Sequence, residues 1–597
     1  MSSFQAFPVY DYKTGLYYKR DPWLFPKDGF AELFNARLYQ GKVQKRAGVS
    51  LFDKMPHQVR SESIGSSGST NYTGTLANTP VRSGDPQGRF QFTDGSQVLY
   101  DEDGDGSLSG DGSGTIDYDT GDYDITFSSS TGGAVTADYQ YIPGLPITGI
   151  FAYYSSAGSS NLLIFDTRRC AQYFPNQGKL HDIVEADTWS GDYDNFVWFE
   201  NWVDHGFITN NVDRVKQYDG SSFSDLNIDI DDDGSNEVDT CLLIFSYKQR
   251  LILLRTTENG EGKPQRARWC VAGDWSDWTN DGYVDAPTLD WIMGGAFLGD
   301  DLVIFFERSI WALQYTGDAD LPFRWKKLVS TEGAYAPFSV TSYSDELIAL
   351  GPTGLIGTDG FDVTRLDEKV PDIALNFDME SYHTCYGAVL EEEREDWLTY
   401  PQIGSQYADR VLSLNYISNS WSIYDVAVQC LGYWQQAEEP TWDQIDLTFD
   451  EMERTWDERS KQAGYPITLG GTSDGKIVNV SDGGDDLGDP IKLEIKTGRI
   501  NPYWEKGLEA RLGWVEFLFT TDPDITLYLD FYADFDTTPY LTQEVQLDGD
   551  GDKTWRAVDC GETAQVHQIV IRHEAKAQTA EIHAMTWWFK PAGRIDR

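Results

Sequence analysis

The chain has 597 residues, several times the length of an ordinary domain, which predicts three or four units around separate cores. Hydrophobic residues make up 40% and aromatic residues 14%, enough to fill large cores and to exclude wholesale disorder. Lys and Arg number 47 against 96 Asp and Glu, a net charge of −49, and a surface of that sign repels nucleic-acid phosphates and anionic lipid. No apolar run approaches the ~18 residues of a membrane-spanning helix. The opening MSSFQAFPVYDYK lacks the basic and apolar regions of a secretory signal. The six cysteines (Cys170, Cys241, Cys270, Cys385, Cys430 and Cys560) lie far apart, as expected of reduced, mostly buried thiols in a protein made in the cytosol.

Residues 1–60 hold ten Lys or Arg and five Asp or Glu, a net of +5. Residues 61–145 hold two Arg and thirteen acids, a net of −11. That swing predicts separate units with separate partners: a basic N-terminal docking segment over 1–60 and an inserted small β domain over 61–145. The Gly/Ser stretch SESIGSSGST at 61–70 reads as a flexible linker into the insert. Short alternating runs such as Arg89-Phe-Gln-Phe92 and Tyr123-Asp-Ile-Thr-Phe127 predict antiparallel strands, and Pro143 and Pro146 close the unit.

Over 146–485 an apolar strand, a tight turn and a strand ending in an aromatic recur every ~45–70 residues. Leu162-Leu-Ile-Phe165, Cys241-Leu-Leu-Ile-Phe245, Leu302-Val-Ile-Phe-Phe306 and Val411-Leu-Ser-Leu414 are examples. Such units cannot bury both faces alone. Radial stacking into a β-propeller-like body is the reading, with a series of sandwiches as the alternative. Residues 486–597 show long, regular alternation and predict a C-terminal β-sandwich domain. The fold class is all-β, with short helix candidates only at 30–38 and 504–512.

The motifs of nucleotide-binding loops, α/β-hydrolase elbows and helical zinc sites are absent. His567 and His573 share one strand face and read as polar sandwich positions. The run Glu391-Glu-Glu-Arg-Glu-Asp396 reads as a solvated hairpin tip. Two runs have oxygen-ligand spacing: Asp101, Asp103 and Asp105, and Asp229, Asp231 and Asp233. Three alternate carboxylates around a glycine turn can wrap a structural calcium ion. The bidentate Glu at the twelfth position is missing, since Gly112 and Thr240 stand there, so an Asp/Gly-rich β-turn remains the alternative.

Near the N-terminus an aromatic segment, Asp21-Pro-Trp-Leu-Phe-Pro26, precedes Asn35-Ala-Arg37 and then Gly41-Lys-Val-Gln-Lys-Arg-Ala-Gly48. The second piece reads as a hairpin carrying Lys42, Lys45 and Arg46, a candidate docking surface for an acidic partner. Asn35, Ala36, Arg37, Gly41, Lys45, Arg46 and Gly48, with the order of the units, make the chain similar to the tail nozzle proteins of short-tailed bacteriophages, the tail tubular protein B family. Thr73-Gly-Thr-Leu-Ala-Asn-Thr-Pro-Val81 with Gly114-Thr-Ile-Asp-Tyr-Asp-Thr-Gly121 resembles a small β module inserted in many phage tail and baseplate proteins. The likeness implies a non-enzymatic virion protein, made in the host cytoplasm, that forms a ring of usually six copies below a head–tail adaptor. It implies that DNA leaves along the ring axis, with tail fibres or spikes as further neighbours. The alternatives are a receptor- or glycan-binding tail protein and, behind it, a tail-associated glycan hydrolase.

With a charge of −49, the isolated protein is expected not to retard duplex DNA in gel-shift assays at about 0.15 M salt, and micromolar binding there would contradict the repulsive-surface reading.

Overall fold

The computed structural model describes residues 3–101, 103–279, 282–318, 321–329, 331–343, 345–371, 373–435, 466–549 and 551–595. Among these residues the regular structure is β-strand with a few short 3-10 turns. Six four-stranded sheets and a four-stranded part of a larger sheet, seven blades in all, follow one another along the chain. Their first strands are Ile147–Tyr154, Trp198–Trp202, Val238–Tyr247, Ile292–Leu298, Thr341–Tyr343, Tyr386–Leu390 and Cys430–Gln435.

The period-two rule explains why blades form from apolar runs that do not alternate. Leu162 and Ile164 point into a core shared with the seventh blade, through Cys430, Trp434 and Leu469. Leu163 and Phe165 point the other way, onto Ile208 and Tyr218 of the second blade. In the fourth blade Leu302, Ile304 and Phe306 face the third blade's Leu243, Ile252 and Leu254. Val303 and Phe305 face Leu347 and Ala349 of the fifth. These strands are thus buried on both sides, and the cores run without a break from blade to blade around the ring. This is a propeller and not a series of sandwiches.

The seam is closed by the N-terminal region. The strand Ser50–Lys54 is the outermost strand of the seventh blade, paired antiparallel with Lys476–Asn479. The expected separate segment at 1–60 is therefore an integral part of two other units. Gln5–Tyr10, Ala36–Tyr39 and Lys42–Lys45 join a seven-stranded sheet with Leu508–Asp522 and Thr579–Arg594. Gly29–Phe34 lies between the last strand of the sixth blade, Ser420–Tyr424, and the C-terminal strand Ile491–Thr497. The sixth blade thereby continues into a ten-stranded sheet, which packs on the seven-stranded one around Leu33, Leu38, Val515, Phe517, Ile571 and Trp587. The C-terminal sandwich is built from both ends of the chain.

Neither helix candidate forms an α-helix. Asn35, with φ +52°, turns 30–38 into two strands at a corner. Gly507, with φ +65°, ends a single 3-10 turn at Trp504–Lys506 before Leu508–Asp522 begins. The supposed linker at 61–70 is also partly strand. His57–Gly65 pairs with Val135–Tyr141 as the stem of an eight-stranded sheet spanning residues 57–141. That unit has its own core of Leu76, Phe90, Phe92, Leu99, Ile125 and Tyr139.

Its contact with the first blade is polar. Asp182 Oδ2 accepts from the Gln58 backbone N–H at 2.9 Å and from Arg169 at 2.9 Å. His57 Nε2 lies 2.5 Å from Asp166 Oδ2. Gln140 Oε1 accepts from the Asp182 backbone N–H at 3.1 Å, while Arg82 pairs with Asp53 of the seventh blade at 2.6 Å. His181, whose Nδ1 lies 2.9 Å from Gln140 Nε2, is held neutral: burial, then Arg82, pull its pKa down to about 2.

Candidate functional site

The basic hairpin is the first region to place. Arg46 is buried, and all five of its N–H donors are met. Nε donates to Asn35 Oδ1 at 2.8 Å. The two terminal nitrogens reach both oxygens of Asp486, at 2.9 and 2.5 Å, and the carbonyls of Ala47 and Asp425. Asn35 also accepts from the Asp425 backbone N–H at 2.8 Å and donates to the Lys492 carbonyl at 2.8 Å. Two side chains thus tie together the end of the sixth blade, the exit from the seventh and the first strand of the sandwich.

Gly48 completes this clasp. A Cβ there would lie 2.1 Å from the Asp485 carbonyl oxygen, so only glycine lets the two backbones meet. Lys45 is buried as well, and its ammonium donates to the carbonyls of Ala575 at 3.1 Å and Gln578 at 3.2 Å. Burial, then the neighbouring Arg46, pull its pKa down to about 8. Lys42 is partly exposed and pairs with Glu581 at 2.9 Å, and Arg37 pairs with Glu393.

This corrects the docking assignment. Lys45 and Arg46 are turned inward and satisfied by the chain's own groups, leaving Lys42 with only partial exposure. Apart from Asn35 and Ala47, their partners stand hundreds of residues away in sequence, so a reading of local charge could not find them.

The two aspartate loops each gather carboxylate oxygens within 4.8 Å of one another. In the insert, Asp101 is buried and accepts from the backbone N–H groups of Gly104 and Gly106 and from the Tyr118 hydroxyl, at 2.7 to 2.9 Å. Asp103 and Asp105 stay exposed. Between the second and third blades, Asp229, Asp231 and Asp233 are joined by Glu237, which the sequence reading missed by testing only Thr240. Its signal was a carboxylate eight residues after Asp229, just before the strand Val238–Tyr247. Asp233, then burial and Glu237, push the Asp231 carboxyl above its ordinary range. An oxygen-seeking cation of calcium size suits both donor sets.

The axis of the propeller is filled. Phe338 meets Phe196 at 5.3 Å, Tyr386 at 5.8 Å and Trp198 at 6.0 Å between ring centroids. Trp198 in turn meets Phe245 at 5.1 Å. These rings come from around the circle of blades, so they close its centre.

Beside this plug lies a cleft of about 870 Å³ at the inner strands of the fifth, sixth and seventh blades. Tyr343, Tyr386, Tyr416, Tyr433, Glu391 and Glu392 are among its walls. Under it, Asp396 is buried and accepts a 2.8 Å bond from Thr341, and burial pushes its pKa up to about 7. The run 391–396 is therefore a solvated tip only through Arg394. Glu395 is buried too, bonded by Ser413, Trp397 and Tyr424. His567 and His573 stand buried on one sandwich strand, bonded to the Ala510 carbonyl and Gln578, as polar sandwich positions.

No family model and no curated protein matches the chain. Among solved structures, a computationally designed protein, Ika8, aligns over 70% of this chain and 100% of its own, at 10% identity and a TM-score of 0.30. PorZ, a bacterial surface component of the type-IX secretion system of Porphyromonas gingivalis, aligns over 80% of this chain and 64% of its own, at 9% identity and a TM-score of 0.32. An exo-beta-1,3-galactanase from Phanerochaete chrysosporium aligns over 66% and 95%, at 8% identity and a TM-score of 0.24. Likenesses this distant carry no functional argument. Among the described residues, no helix is long and apolar enough to cross a membrane.

Two outcomes follow from this geometry. Arg46→Ala strands the buried Asn35 and the partly buried Asp486 and is expected to lower unfolding stability by about 2–3 kcal/mol in urea titrations. Arg46→Lys, which cannot reproduce the fork, is expected to recover only part of that. A loss below ~1 kcal/mol for Arg46→Ala would mean the clasp is dispensable. For Asp396 the sign follows from its raised pKa. The folded state holds the proton more tightly than the unfolded chain from about pH 4 to about pH 7, so stability falls as pH rises through that window. Relative to Asp396→Asn, the native chain is expected to lose on the order of 4 kcal/mol between those limits. Parallel pH curves for the two proteins would show that the carboxyl does not titrate there.

Proposed function

We propose that this chain is a structural subunit of a virion tail, the nozzle through which DNA leaves, and that it does no chemistry of its own. The observation that supports this reading most is the clasp. The residues that carry the resemblance to tail nozzle proteins—Asn35, Arg46 and Gly48 above all—converge on one junction of propeller and sandwich. A motif spent on joining sheets suits a part whose task is to keep its shape.

In this reading the subunits stand in a ring, six being the expected number, below a head–tail adaptor. Since Phe338 and its neighbours fill the propeller axis, the lumen belongs between copies. Its walls are acidic, given a net charge of −49, and pass a polyanion without holding it. The adaptor then needs a surface other than Lys45 and Arg46. Electron microscopy of the purified chain with the adaptor of the same virion is expected to give sixfold rings with an open centre. Sets of three at the tail periphery, or absence of the chain from purified tails, would overturn the proposal.

The aspartate loops enter the same reading as structural calcium sites. Millimolar calcium is expected to raise the melting temperature of the chelator-treated protein, and Asp103→Ala with Asp231→Asn to remove that response. An unchanged melting temperature would return both loops to plain Asp/Gly turns.

A further inference from the structure

We infer that the cleft at the fifth, sixth and seventh blades is a binding site for a neutral oligosaccharide. The inference does not rest on the tail reading. Its first support is the platform. Tyr343 and Tyr416 stack with ring centroids 3.8 Å apart and planes inclined by 30°, although they come from different blades. Both rings are only partly buried. Across the cleft Tyr433 is 47% exposed, and its hydroxyl is tied to the Val389 carbonyl at 2.7 Å, which fixes the ring's direction. Exposed tyrosine faces held in place from behind give apolar contact at low entropic cost. The C–H faces of hexose rings are the complementary surface.

The second support is the polar rim. Glu391, Glu392 and Gln435 line the cleft beside the tyrosines and are exposed. Carboxylates and an amide can take and give hydrogen bonds to ring hydroxyls, which fixes orientation where stacking supplies affinity. The third is charge. Among the described lining residues two are carboxylates and none is basic, so these residues offer a uronic, sialic or phosphorylated ligand no counter-charge. The fourth is size. About 870 Å³ is far larger than a lone ammonium group needs, and it lies in the range of small-molecule clefts that hold a few sugar rings. The floor is rigid, since Thr341 and Asp396 are bonded beneath it and the Phe338–Tyr386 stack stands next to it.

The test uses the full chain on an array of neutral hexose and N-acetylhexosamine oligosaccharides, each printed beside a uronic- or sialic-acid counterpart, with affinities from calorimetry on the best neutral ligand. Binding is expected on neutral members only. Tyr416→Ala and Tyr433→Ala are each expected to weaken it by about tenfold or more, and Tyr416→Phe, which keeps the ring, to stay within about threefold. Tyr528→Ala, at an exposed sandwich position, serves as the off-site control. Should an alanine variant fail to fold, Glu391→Arg, at an exposed tip, is expected to cut neutral binding by about tenfold. No binding to any neutral member, equal binding to the anionic partners, unchanged affinity in the folded cleft variants, or competition by choline at the same site would each overturn the inference.

Discussion

A ring of sheets has one seam, and the geometry of this molecule depends on how that seam is held. If only side chains met there, the first and last blades would part at the cost of some apolar contact. Here the strand Ser50–Lys54 belongs to the last blade by hydrogen bonding, while the chain that follows it leads into the first. Opening the ring therefore means breaking a ladder as well as a core. Four residues upstream of that strand, Arg46 anchors the same segment to Asp486 and Asn35. A buried guanidinium is costly to desolvate, and it is tolerable here because no donor is left over. Closure and clasp together explain why the sandwich takes strands from both termini. The N-terminal strands must lie where the chain can reach the seventh blade.

What could be read in the sequence follows from what is local. Runs such as Leu162-Leu-Ile-Phe165 announce strands buried on both faces, and their recurrence announces stacked units. The number of blades was not legible, because the seventh borrows a strand from residues 50–54 and the sixth continues into the sandwich. Residues 30–38 place Phe30, Leu33 and Leu38 at spacings compatible with a helix face. The left-handed backbone at Asn35 decides for two strands, and it is imposed by partners at Asp425 and Lys492. The Asp runs, and Glu237 eight residues after Asp229, are legible from spacing, whereas the burial of Asp396 is not. Its placement depends on how the fifth blade meets the sixth.

The apparent charge asymmetry of the chain also changes meaning in three dimensions. Arg37, Lys42, Lys45 and Arg46 make the N-terminal region basic on paper. In the folded chain they face Glu393, Glu581, a set of backbone carbonyls and Asp486. Arg60 and Arg82 are likewise spent on Glu185 and Asp53. Neutralising the basic residues inward leaves the acidic excess on the outside. A surface of one sign keeps copies apart at a distance, so contacts between copies must be short-ranged and well matched where they form. In the proposed ring this favours a defined interface over loose association.

The position of the insert follows from the same closure. Ser50–Lys54 has already completed the seventh blade when the chain departs, so nothing in the ring waits for the next residue. Departure and return are fixed on one turn: the Met55 N–H bonds the Gly475 carbonyl, and the Ile147 N–H bonds the Thr472 carbonyl. Between these points His57–Gly65 and Val135–Tyr141 run antiparallel as a stem, so whatever lies beyond it adds no strain to the propeller. The module can carry its own core because that core is separate from those of the blades. What it shares with the first blade is polar, through Asp182, Arg169, Gln140 and His181. A polar contact demands matched partners at each atom, so it holds the module in one orientation, where an apolar contact of the same size would let it slide.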